Sequence, residues 1–144
     1  MNRKFFLFFF SLIISISLSG KEEKWISDRL ILRQNPESVA RVIPKEFVPD
    51  GSALLKSTDF RGAFSEISEA TLIMEHSMKL SELTVYYDFV FKALQWKILQ
   101  KETVRDKKEL FLAEGPGRKI VTVHLLDETA RRKIKIIMRK NSVF

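Results

Sequence analysis

The sequence predicts an α+β domain of two layers, with one main helix packed on an antiparallel sheet of about five to six strands. Residues 80–96 are the one long stretch in which apolar side chains recur at helical spacing. Short stretches on both sides of it alternate apolar and polar residues, as half-covered strands do. At 144 residues the chain is long enough for a single domain of this class to bury its own core.

The first residues have the layout of a secretory signal peptide. A basic opening, Asn2–Lys4, precedes the apolar run Phe5–Leu18, which is shorter than the ~20 residues that span a bilayer core. Small residues follow, so we expect cleavage after Ser19 or Gly20 and export to the periplasm or the cell exterior. Lys21 stands where a bacterial lipoprotein signal requires cysteine, so no lipid attachment is expected. The alternative is an uncleaved N-terminal anchor.

The chain accordingly divides into three parts: a signal peptide (1–20), an N-terminal linker with a short helical segment (21–46) and the α+β domain (47–144). Residues 25–34 fit either a short helix or a leading strand. An Asn-Pro pair favours a helix start at residue 35, and a second proline ends that helix near residue 44.

Six strands and one helix are predicted in the domain. The strands are Ser52–Ser57, Ile67–His76, Trp96–Lys101, Glu109–Ala113, Lys119–Leu126 and Arg132–Arg139. The helix lies between the second and third strands, with Ser81 as its N-cap and Leu80 packed against Val85. Val85 and Phe89 fall off its main apolar face. We expect the N-terminal segment to cross over them as a strap; the alternative is an exposed apolar patch.

A turn at Pro49–Ala53, the aromatic pair Tyr86-Tyr87 on the helix and Trp96 after it form a pattern. On these residues, the stretch from Phe47 to Arg139 resembles a loose group of small exported bacterial domains of unknown function. Those domains have two strands, a helix, a Gly-Trp step and three or four hairpin strands, and Gln95 stands here in place of the glycine. The resemblance implies a fold and export, and it implies no activity and no site residues.

The chain has a net charge of +7, and its excess of basic residues is concentrated in the C-terminal third. Eight basic residues could form a positive surface on the last strands. They are Arg118, Lys119, Arg131, Arg132, Lys133, Lys135, Arg139 and Lys140. Candidate partners are anionic lipid, a polyanionic polymer of the cell envelope or an acidic protein. The alternative is that lysines on a terminal edge strand only discourage edge-to-edge aggregation. Nucleic acid is not expected, because it conflicts with export.

No catalytic, cofactor or metal site is predicted. His76 and the adjacent Glu75 would project from opposite faces of a strand, and His76 with His124 would lack a third metal ligand. The acidic residues Glu66, Glu69 and the Asp127-Glu128 pair fit strand and turn positions. With no cysteine in the chain, disulfides, thiolate metal sites and cysteine nucleophiles are excluded.

The sequence thus favours an exported, non-enzymatic binding or structural module of the bacterial cell envelope, whose partner is a protein or an envelope component. The first alternative is a peripheral binder of anionic lipid or polyanionic polymer that uses the C-terminal basic strand. The second alternative is an enzyme with an unrecognised site.

Overall fold

A computed structural model describes residues 20–62, 67–128 and 130–140, which form one antiparallel sheet of eight strands with a single α-helix. The predicted fold class is therefore wrong: an eight-stranded sheet dominates the molecule, and the fold is all-β in character with one added helix. The predicted signal peptide falls at residues 1–19, outside the described residues, and at Gly20.

The strands are numbered in chain order. They are β1 (Glu23–Ile26), β2 (Leu30–Gln34), β3 (Ala53–Arg61), β4 (Ile67–His76), β5 (Lys97–Val104), β6 (Lys108–Gly115), β7 (Lys119–Asp127) and β8 (Arg132–Lys140). The helix α1 (Leu80–Ala93) joins β4 to β5, and single 3-10 turns lie at Lys45–Phe47 and Pro116–Arg118.

The N-terminal linker contributes two strands to the sheet instead of a helical strap. Residues 23–34 form a hairpin in which the Ser27 N–H donates to the Leu30 carbonyl at 2.9 Å. Residues 35–44 contain no helix. Asn35 adopts a left-handed φ of 48°, and its N–H donates to the Leu55 carbonyl at 2.8 Å. A helix of about ten residues is only marginally stable on its own, so burial of apolar side chains against the sheet decides the conformation of residues 35–44.

The strand order across the sheet is β1-β2-β3-β4-β8-β7-β6-β5, and every neighbouring pair is antiparallel. The chain forms successive hairpins up to β4 and then crosses through α1 to the far edge at β5. From there it returns strand by strand until β8 lies beside β4. The last described strand is consequently an interior strand of the sheet.

Alternate residues of the six strands other than the edge strands β1 and β5 face a core on one side, which we call the inner face. The helix α1 and the segment 35–52 cover this face, and Leu72, Val123 and Ile136 are completely buried beneath them. We call the opposite side the outer face; it carries the half-buried alternate residues of the same strands. One-sided covering is the usual state of an antiparallel sheet.

An aromatic cluster joins α1 to the covering segment. Phe47 packs edge-on against Phe91 and Trp96, with ring centroids 5.5 and 5.2 Å apart. The Tyr87 hydroxyl donates to the Phe47 carbonyl at 2.8 Å. Burial raises the pKa of Tyr87 well above its ordinary value, and neighbouring Tyr86 adds to the rise. The contact fixes the 3-10 turn against the helix.

The helix begins at Leu80, two residues earlier than a cap at Ser81 requires. Lys79, rather than Ser81, is the N-cap residue, and the Glu82 carboxylate accepts a hydrogen bond from the Lys79 N–H at 2.8 Å. Lysine has no acceptor atom, so the N-cap side chain satisfies none of the free N–H groups of the first turn. The prediction of Ser81 as the cap is wrong.

The predicted strap over the outside of α1 is also wrong. Val85 and Phe89 are 68% and 69% exposed. The covering segment approaches the helix from the side of Tyr86 and Tyr87, whose hydroxyls donate to the carbonyls of Glu46 and Phe47. The alternative of an exposed apolar patch on α1 is what the structure has.

Candidate functional site

The eight predicted basic residues do not form one surface. In β8, Lys133, Lys135 and Arg139 lie on the outer face, whereas Arg132 and Lys140 alternate with them and share the side of the buried Ile134 and Met138. Because β8 lies between β4 and β7, its lysines also protect no edge. The edge-strand alternative is therefore wrong.

Two of these basic residues are neutralised at the end of the sheet where β7 turns into β8. Arg132 Nε lies 2.9 Å from Asp127 Oδ1, and Lys133 Nζ lies 2.9 Å from Glu128 Oε1. Glu75 stands opposite Lys133 on the neighbouring strand. Arg131 is exposed beside them. The Asp127-Glu128 pair thus neutralises these two basic side chains.

The opposite end of the sheet is strongly positive. There β2 and β5 begin, β3 and β8 end, and β7 follows its turn from β6. Within the described residues this end carries seven basic side chains, which we call the basic end: Arg29, Arg61, Lys97, Arg118, Lys119, Arg139 and Lys140. Three acidic residues accompany them: Asp28, Glu69 and Glu114.

The sheet register places these basic residues side by side. The Arg61 N–H donates to the Arg29 carbonyl at 2.8 Å, which joins the tip of the β1–β2 hairpin to the end of β3. Lys119 and Lys140 are direct partners across β7 and β8. Arg139 Nε pairs with Glu69 Oε2 at 2.7 Å, although the Arg139 side chain stays 62% exposed. Like charges this close repel one another, and an anionic partner would relieve that repulsion.

Arg29 and Arg61 were not among the predicted residues. They come from the part of the chain whose charges sum to slightly negative, so the count of charges along the sequence gave no signal for them. Only the pairing of β2 with β3, of β3 with β4 and of β4 with β8 brings them to the end that Arg139 occupies. Both are exposed, and neither side chain has an ion pair with another described residue.

Exposed apolar side chains lie beside two of these arginines. Leu30 and Phe60 are direct partners across β2 and β3 and are 41% and 46% exposed. Trp25 and Ile26, at the end of the edge strand β1, are 52% and 69% exposed. We call these four residues the apolar corner. It surrounds the hairpin tip at Asp28–Arg29.

The two histidines lie on opposite faces and on strands that β8 separates, so they cannot share a metal ion. His76 is buried; its Nε2 donates to the Asp50 carbonyl at 2.8 Å, and its Nδ1 accepts from the Met78 N–H at 2.9 Å. Because Nδ1 accepts, the proton of this ring is on Nε2. His76 therefore joins the turn before β3 to the end of β4, which is a structural role.

His124 lies on the outer face between Leu110 and Lys135. Its pKa is lowered, first by loss of solvation and then by the positive charges of Lys108 and Lys135. Among the described residues, no group of three or more histidine and acidic side chains is arranged to hold a metal ion. Glu66 lies outside the described residues, and Glu69 is engaged by Arg139.

A surface pocket of about 530 Å³ lies away from the basic end, between Gly20, Asn35 and the start of β3. Lys21 and Glu37 are its charged lining residues. The one described helix is too short to cross a membrane. None of these features competes with the basic end as a site.

Comparison with known proteins adds no assignment: no protein-family model, no curated protein and no solved structure matches this chain.

Proposed function

We propose that this protein is an exported, non-enzymatic binding module that attaches to an anionic surface of the cell envelope through its basic end. The observation that carries the proposal is the collection of seven basic side chains against three acidic ones at a single end of the sheet. The N-terminal sequence supports export, because a basic opening, an apolar run and small residues follow one another there.

The geometry suits an extended surface better than a small ligand. The basic residues come from the ends of four strands and from two turns, and most of them are exposed. Exposed cations attract a charged surface without a preformed cavity, and each Lys or Arg near an anionic membrane contributes about 1 kcal/mol. Such attraction weakens as salt rises, because the Debye length falls to about 8 Å at physiological ionic strength.

Vesicle sedimentation tests the proposal. The mature protein should sediment with phosphatidylglycerol-containing vesicles at low salt and bind them more weakly at moderate salt. It should not sediment with phosphatidylcholine vesicles. Replacing Arg29, Arg61 and Arg118 with glutamine should weaken binding at low salt by roughly tenfold or more.

A matched control removes the same charge from the other end of the sheet. Arg105, Lys107 and Arg131 are also exposed, and Arg105 shares the positive φ of Arg118 (50° and 57°). Their replacement with glutamine should leave binding near that of the unmodified protein. Equal loss in both triple variants would mean that net charge alone controls binding, and the basic end would then have no special role.

A second candidate function is binding of a protein partner by the outer face. Half-buried aliphatic side chains lie there with no described helix over them, among them Leu32, Ile73, Leu110, Leu112, Ile120, Leu126 and Ile137. Lysine at Ile137, near the centre of this face, would place a charge between Thr71 and Thr122. If the Ile137→Lys variant no longer forms an assembly that the unmodified protein forms in light scattering, this candidate is favoured. Retention of vesicle binding by the same variant would show that the basic end acts separately.

A further inference from the structure

We infer that the apolar corner enters the interfacial region of an anionic phospholipid bilayer when the basic end binds. The inference rests on the proposed function and identifies the surface as lipid rather than a polyanionic polymer. Its basis is the position of Trp25, Ile26, Leu30 and Phe60 around two arginines at the same end of the sheet.

The apolar corner is a concentration of exposed apolar surface. Nine large apolar side chains among the described residues are markedly exposed, and four of them belong to this one hairpin and the strand beside it. Trp25, Leu30 and Phe60 lie on the outer face by their register, and Ile26 lies on the inner side next to the hairpin tip. Ile26 pairs with the buried Ile31, so the hairpin is held against the sheet while its end stays exposed.

The charges around the corner favour lipid headgroups. Arg29 forms the hairpin tip with Asp28, and the hydrogen bond from the Arg61 N–H to the Arg29 carbonyl places a second arginine next to it. A bilayer surface offers anionic phosphates at the height of the arginines and acyl chains immediately below. Tryptophan prefers this interfacial depth, because its ring is apolar and its N–H remains near water.

The alternative partners fit this arrangement less well. A polyanionic polymer would satisfy the arginines and leave Trp25 and Ile26 in water, because it has no apolar phase. A hydrophobic protein partner would cover the apolar side chains and gain nothing from the neighbouring cations. A phospholipid surface uses both sets at once, and β1, as an edge strand, can reach it without the sheet opening.

The chain carries its own reporter, because it contains two tryptophans in different environments. Trp25 is 52% exposed and Trp96 is 7% exposed. Vesicles of phosphatidylglycerol brominated in the acyl chains quench indoles that enter the bilayer. We expect Trp25 fluorescence in the Trp96→Phe variant to shift to shorter wavelength and to be quenched by these vesicles. The Trp25→Phe variant, which keeps Trp96, should show no quenching. If Trp96→Phe does not fold, comparison of the unmodified protein with Trp25→Phe gives the same information.

Removal of apolar surface gives an independent measurement. Replacing Ile26 and Phe60 with serine should weaken binding to phosphatidylglycerol vesicles by roughly tenfold at moderate salt, where charge is screened. Val85 and Phe89 on α1, at 68% and 69% exposed, provide the control pair, and their replacement with serine should leave binding unchanged.

The outcomes separate the two proposals. Failure to bind anionic vesicles would overturn the proposed function and the inference together. Salt-sensitive binding without quenching of Trp25, or with equal affinity for soluble polyphosphate, would overturn the inference and leave the proposed function standing. A larger loss from the Val85 and Phe89 pair would place the lipid contact on α1 and would also overturn it.

Discussion

The Trp96 indole lies directly on the main chain of Gly115, so that a β-carbon at position 115 would overlap the ring. Trp96 precedes β5 and Gly115 ends β6, which places the two residues at the same end of neighbouring strands. Trp96 also packs edge-on against Phe47, with ring centroids 5.2 Å apart. The glycine therefore allows the aromatic cluster to close over the sheet.

Alanine at Gly115 is expected to destabilise the protein by about 2–3 kcal/mol, because the ring must move and it is held by Phe47. Urea unfolding followed by far-UV circular dichroism measures the change. Gly117→Ala is the control: nothing lies within 4 Å of its β-carbon position, and only its φ of 69° opposes alanine. A cost at Gly115 no larger than that at Gly117 would contradict the overlap.

Glycine at Gln95 is expected to stabilise the protein by about 0.5–1 kcal/mol. The helix ends in a Schellman motif, in which the Trp96 N–H donates to the Phe91 carbonyl at 2.8 Å and the Gln95 N–H to the Lys92 carbonyl at 3.2 Å. Gln95 has the left-handed φ of 57° that this motif imposes, and a side chain makes that conformation costly. Thermal or urea unfolding would detect the gain.

The matched control is glycine at Lys92, an exposed position within the last helical turn. There the extra freedom of glycine should cost about 1 kcal/mol. A stabilising effect at both positions would mean that the gain at Gln95 does not come from the left-handed backbone.

The helix and several strands could be predicted because their signals are local. The alternation over Ile67–His76 gives both ends of β4 as the structure has them, and the helix lies within the predicted stretch 80–96. In contrast, residues 35–44 carry a good helix start and fold without a helix, since burial of Ile43 and Phe47 against the sheet outweighs a short local preference. The predicted fold class is wrong because the β1–β2 hairpin extends the sheet beyond the strands that alternation alone reveals.

The candidate site could be predicted only in part, because it depends on register between distant segments. Arg139 and Lys140 are visible as charges on an amphipathic strand, whereas Arg29 joins them only through the pairing of β2, β3, β4 and β8. The sequence also groups Arg132 and Lys133 with them. In the structure those two residues lie at the other end of β8, paired with Asp127 and Glu128.

Phenylalanine at Tyr87 is expected to destabilise the protein by about 1–2 kcal/mol, because it leaves the Phe47 carbonyl without its donor in a buried place. Tyr86→Phe is a close control, since its hydroxyl donates to the Glu46 carbonyl at 2.7 Å at an exposed site where water can replace it. Its cost should be within about 0.5 kcal/mol of zero. Equal costs in urea unfolding would mean that burial of the Tyr87 bond has no energetic role.

The imidazole of His124 is expected to titrate below its ordinary pKa of 6.5. Desolvation is the largest cause, and the charges of Lys108 and Lys135 add to it. Because the folded-state pKa is lowered, the unfolded chain binds the proton more readily. The stability linked to His124 is thus fully present above about pH 6.5 and is lost as the pH falls through the folded-state pKa.

Chemical shifts of the His124 ring protons, followed from pH 8 to pH 4 by NMR, measure this pKa directly. Glutamine at Lys108 and Lys135 should raise it toward 6.5 without restoring it fully, since desolvation remains. His124→Gln should flatten the acid side of the stability profile below about pH 6.5. A His124 pKa at or above 6.5 would mean that the outer face around it is better hydrated than its half-buried position indicates, and the double lysine variant would then move it little.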